Sequence, residues 1–250
     1  MNVASPELTS PSVQKHLEAI AEEFISRIEC VEIPMTLECN LRCKYCYIRD
    51  NTYKTKPVTL EQVINLYEPM REFFPKMFKP GQQCAVIPWG SEPLLNWPVI
   101  EQALVTAFEN YPDVPIYTLW STNGTVISKS YADFVRTYAS RIRSIQVSLD
   151  GPKDVHDFCR VTEQGIGSFA KVMAHLEFMH QEVPNFDSLV LYKSTLLPVQ
   201  LELHHVYKAT IFFHEELGVR VCPVSLVRDA YYTKESIKAL DEDLTRLKDY

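Results

Sequence analysis

The sequence lacks the features that would insert this chain into a membrane or carry it across one. No segment of its 250 residues approaches the roughly eighteen consecutive apolar residues of a membrane-spanning helix. The opening stretch, MNVASPELTSPSVQKH, has neither a basic start nor an apolar run, so it does not predict a signal peptide. Internal repeats and low-complexity segments are also missing from the sequence. We therefore expect a cytoplasmic protein without a membrane partner.

The sequence also lacks an excess of positive charge. Its 25 Lys and Arg residues are outnumbered by 32 Asp and Glu residues, which gives a formal net charge of −7. The basic residues are scattered along the chain, and this pattern argues against a nucleic-acid backbone as the main partner. A hydrophobic fraction of 46% and a charged fraction of 23% are typical of a globular protein that buries a sizeable core.

Histidine is missing where a compact zinc site would need it. Cys39, Cys43 and Cys46 lie in LECNLRCKYCYIRD with the spacing C-x3-C-x2-C, and the next histidine is His156. Seven cysteines, an odd number crowded at one place, do not resemble a disulfide framework and indicate metal or redox chemistry. A four-iron cluster usually takes four thiolates, so three would leave one iron open to a substrate or cofactor. A structural zinc site with histidine as fourth ligand is the alternative.

Short apolar runs alternate with helical patterns, which predicts βα units and a parallel sheet. The strand candidates are VEIPMTL from Val31, CAVIPW from Cys84, IYTLWS from Ile116, SIQVSL from Ser144, SLVLYKST from Ser188 and VRVCPV from Val219. Pro34 and Pro223 fall in the first and last candidates, and proline is tolerated mainly on edge strands. We therefore predict an α/β fold, an open partial (β/α)6 TIM-like barrel, over a doubly wound sheet, whose first strand is usually central.

Helical patterns lie between and around these strands. Thr59 and Gln62 form a capping box for a helix that Pro69 should kink. Further helices are predicted over residues 13–28, from Phe169 through Leu176, from Leu201 to Leu217 before Gly218, and along a final stripe of Ile237, Leu240, Leu244 and Leu247. The predicted organisation is a leader and helix over residues 1–30, a barrel over residues 31–224 and a C-terminal helix over residues 225–250.

The cysteine motif, with the aromatic Tyr45 before its last cysteine, resembles the defining loop of radical S-adenosylmethionine (radical SAM) enzymes. Three further stretches match this family in order, each after a successive predicted strand: WGSEPLLNW from Trp89, STNGT from Ser121 and QVSLDGPKDVHDFCRV from Gln146. The last stretch resembles the fourth-strand ending of the peptide-modifying subgroup that includes anaerobic sulfatase-maturating enzymes and other SPASM-type maturases. The resemblance covers residues 31–224.

The resemblance implies a role for each matching residue. Cys39, Cys43 and Cys46 would ligate one [4Fe-4S] cluster, and Tyr45 would pack on the adenine side of S-adenosylmethionine. WGSEP looks like the family's Gly-Gly-Glu-Pro turn, whose backbone engages the methionine amino group. That assignment implicates Gly90, Ser91, Glu92 and Pro93, with Glu92 holding the turn and Ser91 in place of the usual second glycine.

The fourth-strand stretch completes the cofactor site that the resemblance implies. Ser148 and Asp150 would face the ribose and amino-acid portions of S-adenosylmethionine. Arg160 would pair with the methionine carboxylate, a task that suits guanidinium geometry. Lys193 and Thr195 end the fifth predicted strand and could also reach this pocket, whereas His204, His205 and His214 are expected to be solvated or core histidines.

The reaction that the family resemblance implies is a one-electron cleavage of S-adenosylmethionine at the reduced cluster. The resulting 5′-deoxyadenosyl radical abstracts a hydrogen atom from the substrate, while the protein orients the cofactors and excludes water and oxygen. For this chain the implied activity is an oxidoreductase or maturase that modifies a peptide or protein side chain. The implied partners are that substrate and an electron donor such as flavodoxin or ferredoxin. The residues do not identify a catalytic acid or base.

Two alternatives stay open at this point. The first is a non-catalytic iron–sulfur or zinc-binding sensor or assembly protein, which Ser91 favours because serine costs more than glycine at positive φ. The second is a radical SAM enzyme that acts on RNA or on a small metabolite. An anaerobic test for 5′-deoxyadenosine release separates the catalytic readings from the first alternative.

The remaining cysteines are isolated and are assigned to no cluster: Cys30, Cys84, Cys159 and Cys222. A free cysteine in a strand is most often a small buried apolar residue. SPASM-type enzymes carry a C-terminal extension with additional cluster-binding cysteines. The chain is therefore expected to be either a core-only enzyme or one whose auxiliary-cluster domain lies outside this sequence, and the apolar stripe of the last helix would cover the barrel's open side or that domain.

Overall fold

Six parallel β-strands form one sheet in a computed structural model that describes residues 30–48, 56–65, 83–110, 116–220, 224–228 and 230–250. The strands are β1 (Cys30–Thr36), β2 (Cys84–Gly90), β3 (Ile116–Thr122), β4 (Ile142–Ser148), β5 (Val190–Leu196) and β6 (Val224–Leu226). Their order in the sheet is β1-β2-β3-β4-β5-β6, and every neighbouring pair is parallel. This sequential order is that of a βα barrel, because a doubly wound sheet reverses its strand order at the first strand.

The sheet stays open, since no pairing between β6 and β1 occurs within the described ranges. The predicted α/β partial barrel is therefore the observed architecture. The strand β1 is an edge strand, as Pro34 indicated, and Pro34 lies opposite Trp89 just before a register shift in the ladder. Pro223 lies outside the described residues.

Helices connect the strands and cover one face of the sheet. Residues 60–65 are helical, and the later helices are α1 (Trp97–Asn110), α2 (Lys129–Thr137), α3 (Lys153–Cys159), α4 (Phe169–Glu182), α5 (Pro198–Glu202), α6 (His205–Glu215) and α7 (Lys234–Lys248). The predicted capping box is confirmed, because the Thr59 N–H donates to Gln62 Oε1 at 2.9 Å and the Gln62 N–H donates to Thr59 Oγ1 at 3.3 Å. Residues 13–28 and Pro69 lie outside the described residues.

The main hydrophobic core lies between the sheet and these helices. Aromatic rings fill it beside β3: Trp97 packs edge-on against Tyr131 and Phe134 with centroids 4.8 and 5.1 Å away, and Trp120 donates from Nε1 to the Tyr131 hydroxyl at 3.3 Å. The opposite face of the sheet is more open, and Leu191 of β5 is 55% exposed there.

One predicted helix is in fact two. Residues 201–217 divide into α5 and α6 at His204, whose φ of 56° is left-handed. The break follows from a tertiary contact, because the buried Asp243 of α7 accepts the Tyr207 N–H at 3.0 Å and contacts His204 Nδ1 at 2.8 Å. A carboxylate at the start of a helix accepts a hydrogen bond from a free backbone N–H, and the positive end of the helix dipole stabilises its charge. The predicted end of the helix is confirmed at Gly218, whose φ is 64°.

The last strand also differs from its prediction. It begins at Val224 rather than Val219, and residues 219 and 220 are not in a strand. The Val219 N–H instead donates to the Phe213 carbonyl at 2.8 Å, so Val219 closes the end of α6. Cys222 lies outside the described residues.

The apolar stripe predicted from Ile237, Leu240, Leu244 and Leu247 is only partly covered where it lies on the final helix, α7. Its buried residues are Ser236, Ala239 and Asp243, whereas Ile237 and Leu244 are 57% and 48% exposed. The helix packs on α5 and α6, and Leu240 joins a small apolar cluster with Val155, Leu196 and Leu201. No described helix is long and apolar enough to cross a membrane.

Candidate functional site

The residues singled out in the sequence meet where β1 to β4 end. The cysteine loop follows β1, the turn Ser91–Glu92 follows β2, Asn123 follows β3 and Asp150 follows β4. The carboxyl ends of parallel strands lie at one end of a barrel, and this is the end where barrels of this type keep their chemistry. The four stretches therefore form one site.

The three loop cysteines are free thiols held close enough to influence one another. Burial raises the pKa of Cys39, and burial raises the pKa of Cys43 to about 11, with the neighbouring thiols adding to both effects. The Cys46 N–H donates to the Cys43 carbonyl at 3.1 Å, which folds the loop back on itself. Among the described side chains no group of three or more His, Cys, Asp or Glu residues converges tightly enough to hold a single metal ion.

The cysteine loop is fixed from outside by backbone contacts. The Arg42 N–H donates to the Val161 carbonyl at 2.7 Å, and the Lys44 N–H donates to the Cys159 carbonyl at 3.1 Å. The Arg42 guanidinium then reaches back to the Cys39 carbonyl at 2.7 Å. The positions of the three thiols are thus set by the segment that follows α3, which also carries Arg160.

The turn after β2 is built around a fully buried carboxyl group. Glu92 accepts the Asn123 N–H at 2.6 Å, the Thr122 hydroxyl at 2.8 Å and the Leu94 N–H at 3.1 Å. It therefore joins the turn to the end of β3. Pro93 begins the short 3-10 helix Pro93–Asn96 directly after it.

Gly90 is the position of this turn that requires glycine. Gly90 has φ 152°, and a Cβ atom there would overlap the Thr36 carbonyl oxygen. Ser91 is not among the described residues with positive φ, and its N–H donates to the Thr36 carbonyl at 3.1 Å. The prediction that serine at position 91 costs more conformational free energy than glycine is therefore wrong, because this position uses an ordinary backbone conformation.

Glu92 makes stability depend on pH. Burial raises the pKa of Glu92 from near 4.5 to about 7, although its three donors work in the opposite direction. A carboxyl group whose pKa is raised in the folded state contributes its full stabilisation of the fold below its unfolded-state pKa. That contribution is lost as pH rises through the folded-state pKa of about 7. Between about pH 5 and pH 8 the free energy of unfolding of wild type should fall by roughly 2–3 kcal/mol more than that of Glu92→Gln.

Urea unfolding of the cluster-free chain at the two pH values measures this difference. Glu163→Gln, at an exposed position, is the control and should keep the wild-type pH dependence. Equal pH dependence in wild type and Glu92→Gln would show that Glu92 is ionised throughout.

A network of amides links the third strand to the cysteine loop. Asn123 donates from Nδ2 to Asn40 Oδ1 at 2.9 Å and contacts Cys39 Sγ at 3.7 Å, and Asn40 donates from Nδ2 to Thr125 Oγ1 at 2.7 Å. Sequence reasoning identified STNGT only as a motif and missed Asn40. An asparagine directly after a cysteine gives no signal of its own, because its partner lies 83 residues away.

Asp150 and Arg160 form a buried ion pair at the end of β4. Their Oδ1 and Nε atoms are 3.1 Å apart, and the two side chains are 0% and 8% exposed. Asp150 also accepts the Tyr45 hydroxyl at 2.7 Å and the Thr195 N–H at 3.0 Å. The Arg160 guanidinium lies 5.3 Å from the centre of the Tyr45 ring, so all three predicted side chains share one cluster.

The other predicted candidates lie around this cluster or away from it. Ser148 is half-buried and pairs in the ladder with Lys193, which is exposed. His205 is buried, His204 contacts Asp243, and His214 is exposed, so these three are solvated or core histidines as expected. Cys84 and Cys159 are buried and Cys30 is exposed.

The donor set and a free polar atom fit the cofactors that the sequence implied. Three mutually neighbouring thiols are the kind of ligand set that holds an iron–sulfur cluster. Ser91 Oγ is buried and lacks a hydrogen bond in the part of the chain that the structure describes. Buried polar atoms of this kind usually find a partner, which a polar cofactor would provide.

Known proteins resemble this chain in sequence and in fold. The cysteine-type anaerobic sulfatase-maturating enzyme of Clostridium novyi (strain NT) is 28% identical over 189 residues, which cover 73% of this chain and 47% of that enzyme. The chain thus spans about half the length of the curated relatives it matches. Native anSMEcpe with bound AdoMet aligns with a TM-score of 0.68 at 20% identity, over 87% of this chain and 59% of that one.

A second solved structure shows the same fold. Streptococcus suis SuiB bound to precursor peptide SuiA aligns with a TM-score of 0.58 at 15% identity, over 99% of this chain and 53% of that one. The model of one family, described as the Radical SAM superfamily, matches residues 33–202, which is more than half of the chain. This match confirms the resemblance carried by the cysteine loop and the three strand endings, and the chain belongs to the Radical SAM superfamily.

Proposed function

We propose that this chain is the core of an enzyme that reductively cleaves S-adenosylmethionine at a [4Fe-4S] cluster and uses the 5′-deoxyadenosyl radical to abstract hydrogen from a peptide or protein side chain. The observation that carries the proposal is the meeting of three neighbouring thiols, the Gly90–Pro93 turn and the buried Asp150–Arg160 pair at one end of the barrel. Family membership supports the catalytic reading.

The cluster would be held by the cysteine loop. Cys39, Cys43 and Cys46 would ligate three irons, and binding would release the protons that burial keeps on Cys39 and Cys43. The contacts of Arg42 and Lys44 with the segment after α3 keep the loop closed around the site. The fourth iron would stay open, because this loop supplies three thiols.

The cofactor would be positioned by the turn after β2 and by the cluster of side chains after β4. Backbone atoms of Gly90, Ser91 and Pro93 would bind the methionine amino group, with Glu92 fixing the turn through its three hydrogen bonds. The other assigned cofactor residues are Tyr45, Ser148, Asp150 and Arg160. Arg160 would bind the methionine carboxylate through the guanidinium atoms that Asp150 does not occupy.

The substrate class is inferred from the relatives. A sulfatase-maturating enzyme and SuiB, which was solved with a precursor peptide, are proteins that this chain resembles. The open inner face of the sheet at β5 gives a side chain of a peptide a route to the site, since Leu191 and Lys193 are exposed there. An electron donor such as flavodoxin or ferredoxin would supply the electron, and a cytoplasmic location would suit such oxygen-sensitive chemistry.

The alternative readings have less support. A zinc-binding protein would need a fourth ligand, and His156, the next histidine after the cysteine loop, has both ring nitrogens in hydrogen bonds with Asp150 and Ser168. A non-catalytic sensor was favoured only by Ser91, which adopts an ordinary φ. An enzyme acting on RNA or on a small metabolite would share the same site, and no described contact favours it.

Anaerobic reconstitution tests the proposal. Electron paramagnetic resonance of the reduced protein should show one four-iron signal that shifts on addition of S-adenosylmethionine, and 5′-deoxyadenosine should be released. Cys39→Ala, Cys43→Ala and Cys46→Ala should each lose the signal, while Cys30→Ala, at an exposed position outside the loop, should keep it. A signal that is indifferent to S-adenosylmethionine, or bound zinc in place of iron, would disprove the proposed function.

A further inference from the structure

A buried histidine lies between the two partners of the ion pair. His156 is on α3, which begins three residues after Asp150 and ends just before Arg160. The Asp150 N–H donates to His156 Nδ1 at 3.3 Å, and His156 Nε2 lies 2.9 Å from Ser168 Oγ. The Ser168 hydroxyl in turn donates to the Arg160 carbonyl at 2.9 Å. A series of hydrogen bonds through the side chains of His156 and Ser168 thus joins the backbone of Asp150 to the backbone of Arg160.

The hydrogen bonds fix where each proton lies. The backbone N–H of Asp150 is a donor only, so His156 Nδ1 must be the bare, accepting nitrogen. The imidazole proton is then on Nε2, which donates to Ser168 Oγ and leaves the serine proton free for the Arg160 carbonyl. Burial and the charge of Arg160 lower the pKa of His156 to about 3, in agreement with a neutral ring.

This series of hydrogen bonds is rigid and is shielded from solvent. His156 is 0% exposed and Ser168 is 3% exposed. The imidazole packs edge-on against Phe169 with a centroid distance of 5.8 Å, and Phe169 packs against Phe212 of α6. A buried side chain with both nitrogens satisfied leaves the backbone atoms on either side of it little freedom.

We infer that His156 and Ser168 are positioning residues that hold Asp150 and Arg160 in the geometry that binds S-adenosylmethionine. They act through backbone atoms, because neither side chain contacts the Asp150 carboxylate or the Arg160 guanidinium in the described structure. The inference rests on the proposed function, which gives the ion pair its task. It adds a requirement for one imidazole tautomer to that function.

The test measures S-adenosylmethionine affinity by equilibrium titration of the reconstituted protein, with iron content and melting temperature recorded for each variant. His156→Phe keeps the ring shape but leaves the Asp150 N–H unsatisfied, so affinity should fall about tenfold. His156→Asn keeps an acceptor near the Nδ1 position and should bind within about threefold of wild type. Because it loses ring packing, His156→Asn should nevertheless melt at or below the temperature of His156→Phe. A purely structural role would make affinity follow melting temperature.

Two further measurements test the inference even if His156→Phe does not fold. Ser168→Ala removes the hydroxyl that accepts from His156 Nε2 and donates to the Arg160 carbonyl, while the Ser168 N–H still donates to that carbonyl at 3.1 Å. This variant should also weaken binding. Nitrogen-15 NMR of the cluster-free wild-type chain should show an unprotonated Nδ1 and a protonated Nε2 for His156. His180→Phe, at an exposed position on α4, is the control and should bind like wild type.

The outcomes separate the two hypotheses. If wild type binds no S-adenosylmethionine, the proposed function fails, while the NMR result still decides the tautomer. If wild type binds and the Phe and Ala variants bind equally well, the positioning inference fails alone. A proton on His156 Nδ1 in the wild-type chain would also overturn it.

Discussion

Gly90→Ala should destabilise the chain by at least about 3 kcal/mol and abolish S-adenosylmethionine binding, since a clash with fixed backbone adds to the cost of a strained φ. The new Cβ atom would overlap the carbonyl oxygen of Thr36, and it would also lie 3.1 Å from the Thr36 carbonyl carbon. The same oxygen accepts the Ser91 N–H at 3.1 Å, so Thr36 cannot move without opening the turn. Urea unfolding and the cofactor titration measure the two effects.

Gly165→Ala separates the clash from the backbone conformation. Gly165 has φ 78°, and a Cβ atom there would have no neighbour within 4 Å. Its replacement should therefore cost only the left-handed conformation, about 1–2 kcal/mol, and leave cofactor binding unchanged. If both variants lost the same stability, the contact with Thr36 would not be what requires glycine at position 90.

The parallel sheet and its order could be predicted from the sequence because they depend on local patterns. Five of the six strands were placed within about two residues of their observed bounds, the usual uncertainty of an element's end. The sixth was misplaced because Val219, although apolar and β-branched, packs as the end of α6. The edge position of β1 followed from Pro34 alone.

Contacts between distant parts of the chain were beyond sequence reasoning. The break at His204 depends on Asp243, which lies 39 residues later on another helix. The incomplete covering of the stripe on α7 has the same origin, since docking of Asp243 turns Ser236 and Ala239 inward. Helical periodicity identifies an apolar face, but a buried carboxylate with two partners decided which face is covered.

The motif residues of the site were found, but the residues that hold them were not. Motifs mark groups that would touch a cluster or a cofactor, whereas supporting groups such as Asn40 and His156 gain meaning only from partners brought together by the fold. His156 lies inside the quoted fourth-strand stretch, but from the sequence it is only the next histidine after the cysteine loop, too distant for a compact zinc site. His156 accepts a hydrogen bond from the Asp150 backbone amide, six residues earlier in the sequence. This short spacing is the local pattern that could have drawn attention to His156.

The ion pair between Asp150 and Arg160 carries the other large expected effect. Burial works to lower the pKa of Arg160, but the charge and hydrogen bond of Asp150 together with Tyr45 and Cys43 outweigh burial and raise the pKa, so the guanidinium stays charged. Removing one partner of a buried pair leaves an uncompensated charge, and this costs about 3–5 kcal/mol. Asp150→Asn should lose that much stability and should also lose S-adenosylmethionine binding, because the Tyr45 and Thr195 donors face the same carboxylate.

A double variant identifies the origin of the loss. Adding Arg160→Met to Asp150→Asn removes the stranded charge, so urea unfolding should show that the double variant loses less stability than the sum of the single variants. Cofactor binding should not return, because the guanidinium proposed to bind the methionine carboxylate is gone. Asp133→Asn breaks exposed pairs with Lys129 and Arg136 and should change stability little. Additive losses at Asp150 and Arg160 would mean that the two charges are independently solvated, and the tightly coupled pair would then be the wrong description of this site.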